Sequence, residues 1–197
     1  MPAASASNHG PVVAIAGRRI DAPDAPPRFP LQNARTVAEA IRAFLVAHAA
    51  TGVVASAACG ADLIALEEAG ALDLERRVVL PFPARRFRET SVTDRPGDWG
   101  PRFDRTLRDV GAERVRVLDD AGTESDDAAA YAAVNDVLLE EAVRLAGDHA
   151  AAPAASRPVL ALLVWEGAPR GDGDLTADFR DRARQRGIPV AEVLTRP

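Results

Sequence analysis

The sequence predicts an α/β protein of the Rossmann-like, doubly wound kind, with a mainly parallel sheet and helices on both faces. Three observations carry this. The runs Val12-Val13-Ala14-Ile15-Ala16 and Val159-Leu160-Ala161-Leu162-Leu163-Val164-Trp165 are apolar without a break, as in strands covered on both faces. Strand-like and helix-like segments alternate along the chain, which implies parallel pairing through helical crossovers. Most of the strand-like runs stop at glycine, proline or small polar residues, the punctuation of tight strand-to-helix turns. The two wholly apolar runs are expected as central neighbours in a sheet of six strands.

Residues 1–11 are small and polar and read as a disordered lead, leaving residues 12–197 as one Rossmann-like domain. After the first strand comes Gly17-Arg18-Arg19-Ile20-Asp21, then a loop with Pro23, Pro26, Pro27 and Pro30, too proline-rich for helix or interior strand. A loop of that length at the end of a central strand suits binding. From about Ala34 the period is helical, with Val37, Ile41, Phe44 and Leu45 on one face. Gly52 ends that segment. Val53-Val54-Ala55 then forms the second strand, Ser56 to Gly60 a turn almost without side chains, and a helix follows from about Asp62. The free N–H groups at such a helix start, beside a turn that lets a ligand approach the backbone, favour an anion, above all a phosphate.

Arg77 to Pro81 reads as a third strand, stopped by Pro81-Phe82-Pro83. Residues 84–110 are arginine-rich and helical in parts, broken at Pro96-Gly97. The alternation of Glu113 to Leu118 suggests a half-exposed or edge strand. A long helix runs from about Ser125 to Leu145, a small-residue linker covers 150–158, and the second apolar strand follows. Glu166 to Asp174 is a Gly-rich loop, Leu175 to Arg186 a helix, and Ile188 to Leu194 the last strand.

Composition narrows the function. A net charge of −5 argues against bulk electrostatic binding to nucleic acid or an anionic membrane. All 24 basic residues are arginine, which puts a guanidinium fork wherever an anion is held. Cys59 is the only cysteine, so no intrachain disulfide forms. No apolar run reaches membrane-spanning length, and the first residues lack the order of a signal peptide. The expectation is a cytoplasmic protein.

In a doubly wound sheet, ligands bind beyond the carboxyl ends of the strands, where the winding reverses. The candidate ligand-binding residues are therefore Gly17, Arg18, Arg19 and Asp21 after the first strand. Ser56, Cys59, Gly60, Ala61 and Asp62 follow the second, Pro81 and Phe82 the third, and Asn135 lies on the long helix. Trp165, Glu166, Gly167, Gly171, Gly173 and Thr176 close the set. Glycines permit close approach, arginine suits phosphate, aromatics suit a base, and Asp62 suits ribose or an amine. The anion is expected over Gly17, Arg18, Ser56, Gly60 and the helix start near Ala61. No catalytic residue and no metal ligand stands out, and a nucleotide-derived ligand is the only small molecule implied. Cys59 at a helix start has the setting of an activated thiol, but the three histidines fall in a tail, a helix and a linker edge.

The order Ala16-Gly17-Arg18-Arg19, Ser56-Ala57-Ala58-Cys59-Gly60-Ala61-Asp62, Leu80-Pro81-Phe82, Tyr131 with Asn135, and Trp165-Glu166-Gly167 resembles the SLOG superfamily. These Rossmann-like domains are named for DNA-processing protein A and the Lonely-guy enzymes. Sensor-like members show Gly-His-Arg, a Ser-Gly-Gly-Ala-x-Gly-Ala-Asp-like turn, Leu-Pro-Phe, and a late Trp-Asp-Gly followed by Gly-Gly-Thr. The match spans about Val12 to Leu194. It departs at Arg18 (histidine expected), at Glu166 (aspartate common), and at Gly173-Asp174-Leu175-Thr176, which interrupts Gly-Gly-Thr.

The resemblance implies binding of a nucleotide or a derivative such as ADP-ribose or a cyclic nucleotide. It suggests a bacterial-type signalling or defence sensor, with a fused effector domain, an effector protein or a homo-oligomer left open. The alternative is a Lonely-guy-like phosphoribohydrolase cleaving the N-glycosidic bond of a nucleoside monophosphate. Its signature places a glutamate three residues after the threonine, whereas Phe179 stands three after Thr176 and cannot handle a proton. Asp178 is one helical step away, about a hundred degrees around the axis. The balance favours binding over catalysis. A third reading is single-stranded nucleic acid. Nine arginines face Glu89, Asp94, Asp98 and Asp104 between Arg76 and Arg108, and Trp99 and Phe103 are the candidates for base stacking. A solvated arginine face, or pairing of that lobe with the acidic segment 119–148 in a homo-oligomer, explains the same charge.

Overall fold

A computed structural model describes residues 10–118, 127–148 and 157–196. Its six strands are β1 (Val12–Gly17), β2 (Gly52–Ala55), β3 (Glu75–Leu80), β4 (Val115–Val117), β5 (Val159–Trp165) and β6 (Val190–Leu194). They form one sheet in the order β4-β3-β2-β1-β5-β6, and every pairing is parallel. The two wholly apolar strands are neighbours, in register from Val12 opposite Val159 to Gly17 opposite Val164.

The helices are α1 (Ala34–Ala47), α2 (Ala61–Ala71), α3 (Ala84–Ser91), α4 (Trp99–Val110), α5 (Asp127–Gly147) and α6 (Leu175–Gln185). Successive residues of a strand face opposite sides, and this divides the core in two. Val13, Ile15, Val53 and Leu80 pack with α1, α2, α3 and α4. Val12, Ala14, Val54, Leu163 and Trp165 pack with α5 and α6. The winding therefore moves out from β1 to β4 on one face. It then returns along α5 to start again at β5, and the reversal lies between β1 and β5.

Some boundaries differ from the sequence reading. Strand β3 begins at Glu75 because Glu75 and Arg76 pair with Gly52 and Val53, a pairing that an apolar run cannot reveal. Residues 1–9 of the expected lead lie outside the described residues, as do 125–126 of the expected long helix and 150–156 of the expected linker. Pro11 is buried, and its carbonyl accepts the Thr51 N–H at 2.9 Å. Among the described residues no helix is long and apolar enough to cross a membrane.

Candidate functional site

Gly17 is fixed by crowding. A Cβ there would sit 2.4 Å from the Ala61 Cβ and 2.6 Å from the Val164 carbonyl oxygen, so only glycine lets α2 approach the seam between β1 and β5. Beyond it opens a cavity of about 530 Å³, within the usual range for small-molecule sites. Its wall includes Gly17, Arg18, Arg19, Asp21, Ser56, Asp62, Asn135 and Thr176. Eight of the residues expected at the site thus converge on one hollow.

Arg18 enters this wall as a buried strut. It is 3% exposed. Its Nε donates to Glu166 at 2.5 Å, and Nη1 and Nη2 donate to the two Asp174 oxygens at 2.6 and 2.8 Å. Nη2 also reaches Glu166 and the Ala168 carbonyl. The guanidinium expected to hold a phosphate is therefore occupied by two carboxylates. Burial opposes ionisation of Asp174, but Arg18 and the amides of Arg170 and Ala177 hold its carboxyl far below the usual range. Glu166 is lowered in the same way, against burial, by Arg18 and Arg28.

The helix starts are occupied as well. At α2 the Ala61 N–H donates to the Arg18 carbonyl and the Leu63 N–H to Ala58. At α6 the Asp174 side chain accepts from the Thr176 and Ala177 N–H groups, so the interrupted Gly-Gly-Thr carries its own anion. Gly60 has φ 98°, and a Cβ on it would lie 2.8 Å from the Arg18 carbonyl and 2.9 Å from the Ile20 nitrogen. Gly60, Ala61 and Cys59 are buried behind the cavity wall. Burial pushes the Cys59 thiol up to about 11, which makes it inert rather than activated.

Asp62 is 7% exposed and lines the cavity. Its Oδ2 accepts from the Ala58 N–H at 3.4 Å. Its Oδ1 is shut from solvent with no partner among the described residues. Burial pushes its carboxyl up to about 7, against the pull of the Ala58 and Gly17 amides and the Arg19 charge.

The remaining expected residues lie outside the wall. Pro81, Phe82 and Trp165 are buried; Phe82 stands edge-on to Tyr131 at 5.4 Å, and Trp165 Nε1 donates to Glu192. Glu166 holds Arg18 from behind. Gly167, Gly171 and Gly173 are exposed and take positive φ in the turn leading to α6. Asp21 shapes its loop by accepting the Arg28 and Phe29 N–H groups, Ser56 donates to the Val79 carbonyl, and Asn135 Nδ2 donates to Leu175 and Asp178. Phe179 is fully buried under β5. Trp99 and Phe103, the expected stacking aromatics, are buried too and present no face to a base.

The structure adds residues that local pattern did not reveal: Arg28, Phe87, Thr90, Ser91, Arg95, Tyr131 and Arg170 also line the cavity. Tyr131 OH shares hydrogen bonds with Ser91 at 2.7 Å and Thr90 at 3.2 Å. Tyr131 stood in the family-like motif order, and Arg28 in the proline-rich loop. Arg95, Thr90 and Ser91 come from the end of α3 and the turn after it, whose position only the tertiary fold sets. No group of histidine, cysteine or carboxylate side chains among the described residues could hold a metal ion.

Fold and cleft define a Rossmann-like α/β protein with a hollow at the reversal of the winding. Among solved structures, this fold is similar to that of DNA processing protein A from Streptococcus pneumoniae. The two share 15% sequence identity over 93% of this chain, with a TM-score of 0.43, and the chain spans 59% of that structure. No family model and no curated protein matches the sequence.

Proposed function

We propose that the protein binds a nucleotide or nucleotide-derived small molecule in the cavity beyond β1, β2 and β5, as a signalling or defence sensor module. One observation carries the reading. A single hollow at the reversal of the winding combines several guanidinium groups, the Tyr131 ring and a buried carboxylate, Asp62, with an unsatisfied oxygen. Arginine suits phosphate, the aromatic edge suits a base, and Asp62 suits a sugar hydroxyl or an amine. The SLOG-like order of motifs supports the same ligand class.

A ligand that binds only the folded chain adds RT ln(1 + [L]/Kd), about 2.7 kcal/mol at a hundredfold excess. That corresponds to a melting shift of roughly 5–10 °C for a chain of this size. A thermal scan against adenine nucleotides, ADP-ribose and cyclic dinucleotides is expected to show it. Ala58→Trp, which builds a ring into the wall from a half-buried position, is expected to remove the shift while still unfolding cooperatively. Gly60→Val is the wrong probe, because its side chain meets the Arg18–Ile20 backbone rather than the cavity. Absence of any shift, or a shift that survives in folded Ala58→Trp, overturns the reading.

One observation favours the hydrolase alternative: Asp62, raised to about 7, stands in the range of a general acid or base. Incubation with adenosine monophosphate, followed by chromatography for free adenine, tests it. Release that exceeds a no-protein control and disappears in Asp62→Asn establishes turnover.

A further inference from the structure

Arg18 and Arg19 are consecutive at the end of β1, yet their side chains part to opposite flanks of the cavity. Arg18 turns to Glu166 and Asp174 on the β5–α6 side. Arg19 turns to the Thr90 carbonyl at the end of α3 and to Asp94 in the turn after it, using Nη1 alone. A second arginine stands on each flank with its donors unspent. Arg170 makes no side-chain hydrogen bond with the described residues. Its nearest carboxylate oxygen, on Asp174, is 3.8 Å away, and 46% of its side chain is exposed. Arg95 likewise has only Asp94, at 3.5 Å. Each guanidinium offers five N–H donors, so both flanks present open forks to the same hollow.

The wall also carries the side chains of Asp21 and Asp62. The Asp21 carboxylate disfavours a continuous run of negative charge across the cavity, and the buried Asp62 carboxyl suits a hydroxyl or an amine rather than an anion. The occupied starts of α2 and α6 remove the usual cradle for a phosphate. An anion is therefore directed to the flanks, and there are two of them.

We propose that the ligand carries two separated anionic groups, one on Arg170 with Arg28 and one on Arg95 with Arg19, joined by an uncharged, hydroxyl- or amine-bearing middle. The proposal rests on the reading of the cavity as a nucleotide site and narrows it to bis-anionic ligands. Burial, with Arg18 and Arg28 close by, pulls Arg170 below the ordinary guanidinium value, and a bound anion relieves that crowding.

Titration calorimetry with adenosine 3′,5′-bisphosphate and the two corresponding monophosphates tests it on the full chain. The bisphosphate is expected to bind at least tenfold more tightly than either monophosphate. Arg170→Gln and Arg95→Gln are each expected to weaken it about tenfold, each cancelling the advantage of a different phosphate. Neither side chain makes a hydrogen bond with the described residues, so unchanged urea midpoints are expected to accompany those losses. A monophosphate that binds as tightly as the bisphosphate, or two variants that cancel the same phosphate, overturns the two-anion arrangement and leaves the cavity reading standing. If none of the three binds at millimolar concentration and no other nucleotide shifts the melting point, both fall together.

Discussion

A carboxylate in the first turn of a helix is ordinarily stabilised by the dipole and by nearby amides. At Asp62 burial outweighs both, and the carboxyl rises to about 7 from an ordinary value of 3.8. The folded chain then holds a proton that the unfolded chain has released between about pH 4 and pH 7. Stability from this group is therefore greatest at the acid end of that window and falls as the pH rises through it. Urea unfolding at pH 5 and pH 8 is expected to show a larger drop for the natural chain than for Asp62→Asn. The difference is on the order of 2–4 kcal/mol, from roughly 1.4 kcal/mol per pKa unit. Equal drops in the two proteins remove the claim. Asp174 shows the opposite sign. Held low by Arg18 and backbone amides, it lends stability above its unfolded value and loses it as the pH falls. Asp174→Ala strips Arg18 of one of two buried partners and α6 of its cap, and an increase in unfolding free energy, or no change, contradicts the expected loss of about 3–5 kcal/mol.

At the scale of elements, helix α1 ends on a residue poorly suited to its conformation. Ala49 has φ 49°, while the Ala50 N–H reaches back to the Leu45 carbonyl and the Ala49 N–H to Val46. This is the reverse turn that normally takes glycine. Since Ala49 is exposed, its methyl adds little by burial. Ala49→Gly is expected to raise stability by about 1 kcal/mol, seen as a melting point roughly 2–4 °C higher; a lower one sinks the argument. The strands were legible because a doubly covered strand must be apolar throughout, as Val12–Ile15 and Ala161–Trp165 are. The alternation around Val115 and Val117 likewise marked the edge strand β4, but the charged opening of β3 was not legible. Strand β3 opens on Glu75 and Arg76, two residues before the expected start, and their register is set by pairing with β2. The aromatics expected to face a base are equally instructive. Phe82 and Trp165 lie inside because the strand-end position that seemed open is roofed by α5 in one case and α6 in the other.

At the scale of the whole molecule, many of the charges behind the asymmetry of the sequence pair with one another among the described residues. In the arginine-rich lobe, Arg88 pairs with Asp104, Arg85 with Glu89 and Arg102 with Glu67. On α5, Asp136 pairs with Arg182 and Arg186 and Glu141 with Arg144, and just past its end Asp148 pairs with Arg77. A single-stranded oligonucleotide is accordingly expected to bind only weakly, with Kd no lower than about 10 µM at physiological salt. Fluorescence anisotropy with a twenty-base thymidine strand checks this, and submicromolar binding contradicts it. The place of the cavity was legible, since a reversal beside the central strands fixes where a hollow opens. Its chemistry was less so. Sequence shows that Arg18 and Glu166 sit at strand ends and Asp174 before the last helix, but not that they neutralise one another, because contacts between residues about 150 apart depend on the register of β1 with β5.

The burial of Cys59 makes the molecule its own stopwatch. Its sulfur lies under the turn that joins β2 to α2, with its N–H bonded to the Ser91 carbonyl, so a thiol reagent reaches it only when that turn lifts away. The labelling rate then counts openings of the wall that carries Ser56, Ala58 and Asp62, with no engineered probe and no second thiol to confuse the count. A molecule lodged against that wall slows the count by the factor 1 + [L]/Kd. One held elsewhere on the surface leaves the rate unchanged.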